Sequence, residues 1–144
     1  MKRKVMSTVF VFGLAATSLS AFSERHGRLH VTKECSAYFG QAGEHCTITS
    51  SNLPALPPGS RVYYDQAFGI PAGNLDSNVL LYASSGNWAV GRCTLDGNTF
   101  VGLCTFSDGV GDFAGFNARV EVSPIGGVDF RWDGKYSFDA SERH

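Results

Sequence analysis

The sequence predicts an all-β protein, namely an eight-stranded antiparallel barrel stapled by two disulfides. Apolar and polar residues alternate with a period of two from residue 27 onward, as in strands that bury one face. Segments rich in Gly, Pro, Ser and Asn interrupt the alternation at short intervals, which is typical of sandwiches and barrels. No capped stretch has helical apolar spacing. Eight strands can close around side chains or one small ligand, and closure removes exposed sheet edges.

The first 23 residues have the layout of a secretory signal peptide. Three basic residues at 2–4 precede an apolar stretch at 5–16, and small residues follow up to Ser23. A membrane anchor is the competing interpretation, but the apolar stretch is shorter than the roughly 20 residues that a bilayer requires. We therefore expect cleavage after Ser20 or Ser23. The single mature domain, 24–144, is expected to be secreted or periplasmic, with no membrane insertion.

The eight strands are predicted from alternating or β-rich segments in chain order. Asp96 and Gly97 between the fifth and sixth segments are a strong hairpin signal. The segments are 29–32, 45–49, 61–67, 77–83, 88–94, 98–106, 116–122 and 128–139.

The glycine-rich stretch CTFSDGVGDFAGF, residues 104–116, is predicted to be a turn rather than a phosphate-binding loop. Its glycines follow the pattern G-x-G-x-x-x-G instead of G-x-G-x-x-G, it contains no lysine, and strand-like alternation follows it. We place the turn at Ser107 to Asp112. Gly115 is then expected inside the next strand, where glycine often marks a bulge.

The four cysteines are predicted to form two disulfides, since an exported protein matures in an oxidising compartment. Three pairings are possible. The short, turn-containing gaps favour Cys35–Cys46 and Cys93–Cys104, each stapling a hairpin. No metal site is expected, because there is no C-x-x-C and His45 lies on the opposite strand face from Cys46.

The charge balance argues against a nucleic-acid partner. Without the three basic leader residues, nine Lys and Arg remain against 13 Asp and Glu, a net charge of −4. The chain also lacks a basic block or an Arg-rich helix of the kind that neutralises phosphates.

Ser107 to Phe116 resembles the G-x-G-x-F-x-G turn-and-strand motif of the allene oxide cyclase-like barrel superfamily, which includes plant dirigent proteins and bacterial relatives. The segments CTITSSNLPALPPGSRVYY, GRCTLDGN, GLCTFSDGVGDFAGFNARVEVS and WDGKYSF look like parts of a family of small exported bacterial proteins. The resemblance implies an eight-stranded barrel without a cofactor, a mainly apolar cavity and often a trimer. Because cyclase and dirigent members act on hydrophobic or phenolic molecules, it also implies a ligand of that class.

Two groups of polar strand residues are candidate catalytic groups. Asn117, Arg119 and Glu121 share one strand face, and inside a barrel the arginine would orient a carboxylate or enolate while the glutamate moved a proton. Tyr63 and Asp65 share another face and form a pair suited to acid–base work on a phenol or an enol. Apolar residues occupy the opposite face of both strands, so a solvated or intersubunit face is the competing interpretation.

The last predicted strand carries an aromatic stripe of Phe130, Trp132, Tyr136 and Phe138. The stripe either packs in the core or lines a pocket for a flat ligand, and in a small barrel the two roles overlap. We expect a cofactor-free protein that binds a small hydrophobic or phenolic molecule in its barrel. The alternatives are a cofactor-independent isomerase or cyclase of hydrophobic substrates and an extracellular interaction protein.

Overall fold

The computed structural model describes residues 25–70 and 72–139, and within them the predicted eight-stranded antiparallel barrel is confirmed. The predicted signal peptide lies outside the described residues. Every strand pairs with its neighbours in chain order, and the last strand pairs with the first to close the barrel. The strands are β1 (His26–Glu34), β2 (His45–Ser51), β3 (Arg61–Tyr64), β4 (Leu75–Ser84), β5 (Asn87–Leu95), β6 (Gly102–Val110), β7 (Phe116–Gly126) and β8 (Asp129–Phe138).

The alternation that predicted the strands also sorts side chains between the lumen and the outer surface. In β7, Phe116, Ala118 and Val120 are buried, while the residues between them are exposed. Successive Cβ atoms of a strand point to opposite faces of the sheet, so the apolar half of each strand fills the lumen. None of the helices among the described residues is long and apolar enough to cross a membrane.

The up-and-down order of the strands gives the barrel two different ends. The β1–β2, β3–β4, β5–β6 and β7–β8 connections lie at one end, which we call the open end. The other three connections lie at the opposite, closed end. There the rings of Phe113 and Phe116 pack with their centroids 5.1 Å apart, and Phe106 lies 6.2 Å from Phe116. Leu53 and Leu56 of the β2–β3 connection are also buried, so the closed end is filled by apolar side chains.

Both predicted disulfides are present, and all four cysteines are paired. Cys93 and Cys104 face each other directly across β5 and β6. Cys35, just after β1, is joined to Cys46 of β2. Paired cysteines are compatible with a compartment outside the reducing cytoplasm.

One predicted turn lies further along the chain than expected, and one predicted hairpin is confirmed with a longer loop. β6 continues to Val110, so the turn placed at Ser107 to Asp112 is in fact a short 3-10 segment followed by Gly115, at residues 111–115. Gly115 lies in this turn with φ of +78°, a conformation that favours glycine, and not inside β7. The hairpin predicted at Asp96 and Gly97 is confirmed, because these residues begin the loop that joins the antiparallel pair β5 and β6. The loop spans six residues, 96–101, and in it the Asp96 carboxylate accepts hydrogen bonds from two backbone N–H groups. Local side-chain bonds of this kind stabilise a loop that pattern alone does not show.

Candidate ligand-binding site

The open end of the barrel contains a cavity of about 380 Å³. This is within the usual range for a small-molecule site, which is about 300–1,000 Å³. The wall is mainly apolar and includes the sulfur-bearing residues of both disulfides. The aromatic side chains that line it are Tyr38, Phe39, Tyr64, Phe68, Phe100 and Phe130.

Trp132 separates this cavity from the filled half of the lumen. It is completely buried and lies one inward-facing position deeper in β8 than Phe130, which lines the cavity. Its ring packs against Phe106 with 5.6 Å between centroids. Trp132 and Phe106 therefore form an aromatic layer between the two halves of the lumen.

Lys33 is the one charged side chain that is buried among the described residues. Leu29, Val31 and Lys33 occupy successive inward-facing positions of β1, so the strand carries the amine into the lumen beside the cavity. Lys33 is 4% exposed, too little for its amine to reach bulk water as surface lysines do. No carboxylate forms an ion pair with it within residues 25–70 and 72–139.

The Lys33 amine is held by one hydroxyl and three aromatic rings. Its Nζ is 2.5 Å from Tyr64 Oη, and the ammonium donates this hydrogen bond whereas the neutral amine can accept it. Nζ also lies 5.0 Å from the ring centroid of Trp132, 5.2 Å from that of Tyr64 and 5.8 Å from that of Phe130. These contacts fix the position of the amine in an almost wholly apolar setting.

Burial sets the protonation states of this pair. Desolvation lowers the pKa of Lys33 from its ordinary 10.5 to about 7, so a large fraction of the amine is neutral at physiological pH. Burial raises the pKa of Tyr64 well above its ordinary value, and the nearby Tyr38 raises it further. Tyr64 therefore stays protonated and can donate a proton, while Lys33 can act as a base or as a nucleophile.

Tyr38 extends the polar part of the cavity. Its ring stacks on that of Tyr64 with centroids 4.9 Å apart and an interplanar angle of 27°. The Tyr38 hydroxyl and the Trp132 indole N–H are both buried and make no hydrogen bond to any other described residue. Buried donors are normally paired, and Tyr38 lines the cavity, so a ligand that supplies an acceptor would satisfy its hydroxyl.

Exposed apolar side chains surround the entrance. Of the eight large apolar side chains that the described residues expose, six belong to connections or strand ends at the open end. Phe100 is packed between Phe68 and Phe130, with ring centroids 5.9 and 6.5 Å away. We call these six residues the apolar rim; they are Phe39, Ile70, Phe100, Val101, Ile125 and Val128.

The predicted aromatic stripe is divided between two roles. Phe130 lines the cavity, and Trp132 lies one inward-facing position deeper, against the Lys33 amine. Tyr136 and Phe138 lie further toward the closed end, where their rings pack against each other 5.9 Å apart. One half of the stripe therefore contributes to the site and the other half to the core.

The predicted polar candidates lie on the outer surface. Asn117, Arg119 and Glu121 are exposed on the outward face of β7 and do not line the cavity. The Tyr63 hydroxyl accepts a hydrogen bond from Arg61 on the outer face of β3, and the exposed Asp65 carboxylate accepts one from Ser77. The structure does not bring these two groups together with the cavity.

Sequence reasoning did not single out Lys33, although the signal was present. Leu29 and Val31 define the inward phase of β1, and Lys33 continues that phase two residues later. A charged residue at an inward position of an otherwise apolar strand face is the pattern that identifies such a site.

Comparisons of the chain with protein-family models, curated proteins and solved structures find no match. Within the described part of the chain, no group of three or more His, Cys, Asp or Glu side chains is arranged to hold a metal ion.

Proposed function

We propose that this protein is exported from a bacterial cell and binds one small hydrophobic or phenolic molecule in the cavity at the open end of its barrel. The observation that carries the proposal is an apolar cavity of about 380 Å³ with a single amine–hydroxyl pair, Lys33 and Tyr64, at its wall. Ligand sites typically combine a mostly apolar lining with a few polar groups that orient the ligand.

The contrast between the two barrel ends supports this function. At the closed end Phe106, Phe113 and Phe116 are buried and their rings pack against one another, as side chains do in protein interiors. The open end has a similar supply of aromatic residues, but they surround space instead of filling it. The apolar rim would be in contact with water in an empty protein, and it would favour the capture of an apolar molecule.

A cofactor-independent isomerase or cyclase is the second candidate, and one observation favours it. Lys33 is an ionisable group inside an apolar cavity with a pKa brought down to about 7, and perturbed groups of this kind are typical of catalytic sites. The resemblance to the allene oxide cyclase-like superfamily supports the same class of substrate. Binding is the simpler function, because it requires the cavity alone.

Binding is tested with N-phenyl-1-naphthylamine, a neutral aromatic probe whose fluorescence rises in apolar surroundings. Leu95 lines the cavity, so Leu95→Trp is expected to weaken probe binding at least about tenfold by occupying the space. Val110 is exposed on β6 toward the closed end, and the matched variant Val110→Trp should bind as the wild type does. Equal binding by the wild type and both variants would show that the probe does not bind in the cavity.

Native mass spectrometry of the oxidised protein, purified from its own host, addresses the natural ligand. A co-purifying small molecule would support the proposal and identify its chemical class. A protein that is empty and also fails to bind the probe would contradict the proposal and favour the extracellular interaction protein. The same spectrum gives the subunit count, for which the superfamily resemblance implies a trimer.

A further inference from the structure

We propose that the ligand is a hydrophobic aldehyde, and that Lys33 Nζ holds it covalently as an imine at the floor of the open-end cavity. This inference rests on the proposed function and narrows it to one chemical class. It follows from the position of Lys33 between the cavity, the Tyr64 hydroxyl and the rings of Phe130 and Trp132.

The amine has the surroundings that imine formation requires. Lys33 has no carboxylate partner among the described residues and makes its one side-chain hydrogen bond to Tyr64. A neutral amine is the nucleophile in this reaction, and burial in an apolar pocket is a recognised way to keep a lysine neutral. Since the pKa of Lys33 is lowered to about 7, the neutral form is well populated at physiological pH.

The wall of the cavity favours the imine over its hydrolysis. An imine persists where water is scarce, and Lys33 is 4% exposed with its Nζ surrounded by the rings of Tyr64, Phe130 and Trp132. The apolar body of the aldehyde would lie against Phe68 and Phe100 toward the entrance.

A carboxylate ligand paired with a charged Lys33 is the main competing occupant, and the geometry favours it less. A carboxylate would pair with the charged form of the Lys33 amine, which burial in apolar surroundings disfavours, and an arginine fork is the usual partner of a buried carboxylate. No arginine lines the cavity. Lys33 and Tyr64 already share a hydrogen bond, whereas an aldehyde carbon requires only the one amine.

The reaction balances without an external reactant. The neutral Lys33 amine attacks the aldehyde carbon and forms a C–N bond, which gives a carbinolamine. The Tyr64 hydroxyl, 2.5 Å from Nζ, is placed to donate a proton to the departing oxygen and to recover one from nitrogen. The carbon–oxygen bond then breaks, and the oxygen leaves as water with the two hydrogens that nitrogen carried.

The test is reductive trapping of the oxidised protein with trans-cinnamaldehyde and sodium cyanoborohydride near neutral pH. The chain has only four lysines, two of them within the predicted leader, so Lys33 and Lys135 are the two to compare. Lys135 is exposed on the outward face of β8 and provides the matched control. By peptide mapping we expect the lysine adduct to lie at Lys33, to be retained in Lys135→Met and to be lost in Lys33→Met.

Two further measurements make the outcome decisive. Tyr64→Phe should slow trapping about a hundredfold, the lower range for loss of a general acid. Lys33→Met should still bind N-phenyl-1-naphthylamine, which shows that its cavity is intact. Probe binding by the wild type without trapping at Lys33 would overturn the imine and leave the binding function standing. No probe binding would contradict the binding function itself, and cinnamate binding that disappears in Lys33→Met would replace the imine with an ion pair.

Discussion

Lys33 makes the stability of the barrel depend on pH in a direction that can be calculated. Its pKa is about 7 in the folded protein and 10.5 in its ordinary, solvated state. Between these values the unfolded chain binds more protons than the folded protein, so the free energy of unfolding rises with pH across this window. Below pH 7 the buried charge lowers the free energy of unfolding by about 5 kcal/mol. This figure is roughly 1.4 kcal/mol for each pH unit that separates the two pKa values.

The assay is guanidinium unfolding of the wild type and Lys33→Met with both disulfides intact. Between about pH 6 and about pH 9 the free energy of unfolding of the wild type should rise by about 3 kcal/mol relative to that of the variant. Most of the stability that deprotonation of Lys33 restores is restored in this interval. The variant also loses the hydrogen bond to Tyr64. That loss is constant with pH, since burial keeps the Tyr64 pKa far above this range. Lys135→Met, with the same charge change on the outer surface, is the control.

A stability difference between wild type and Lys33→Met that stays constant from acid to alkaline pH would refute this reasoning. It would mean that the amine keeps the same charge in the folded and unfolded states, and hence that the three aromatic rings stabilise the ammonium as well as water does. The other titrating groups are shared by both proteins and cancel in the difference.

Three further predictions concern the barrel itself. Replacing both Cys93 and Cys104 by Ala should lower the free energy of unfolding by about 3 kcal/mol in guanidinium titrations, since the bridge closes a loop with a sequence separation of 11. Gly134→Ala should lower thermal stability by the equivalent of at least about 2 kcal/mol, because a Cβ there collides with a backbone carbonyl oxygen of β7; unchanged stability would show that the two strands can separate locally. Arg92 holds the pKa of the Asp76 carboxyl below its ordinary value through two hydrogen bonds of 2.7 Å, so Arg92→Gln should raise that pKa in an NMR titration.

The fold followed from features that are local along the chain. Alternation assigns the inward and outward face of each strand, and the breaker segments separate the strands into a meander that closes on itself. The disulfide pairing followed from short gaps that each span one hairpin. The exact turn after β6 did not follow, because β6 extends through Ser107 and Asp108, which are polar residues typical of turns. Here Asp108 pairs with Val90 of β5, and Ser107 lies at the register shift between the two strands. Pairing with a neighbouring strand outweighed local turn preference.

The candidate site was predictable only in part. The aromatic stripe of β8 placed Phe130 and Trp132 in the lumen, but it gave no sign that only one end of the lumen is open. That difference arises from the connections, because Phe68 and Phe100 lie in irregular loops without periodicity. A loop residue's direction depends on its own backbone path; Phe100, for example, has φ of +59°.

The cost of burying Lys33 is itself an argument for its role. Below pH 7 this cost is about 5 kcal/mol, which is of the same order as the whole free energy of unfolding of a small domain, about 5–15 kcal/mol. A methionine at this position would fill the space without the cost of burying a charge. Replacing a buried charged residue by an apolar one of similar size is often stabilising. Departures from a locally optimal sequence are expected at functional sites. Lys33→Met should therefore give a more stable barrel in acid that binds apolar probes yet has lost its ligand chemistry; a variant less stable than the wild type at every pH would instead identify Lys33 as a structural residue.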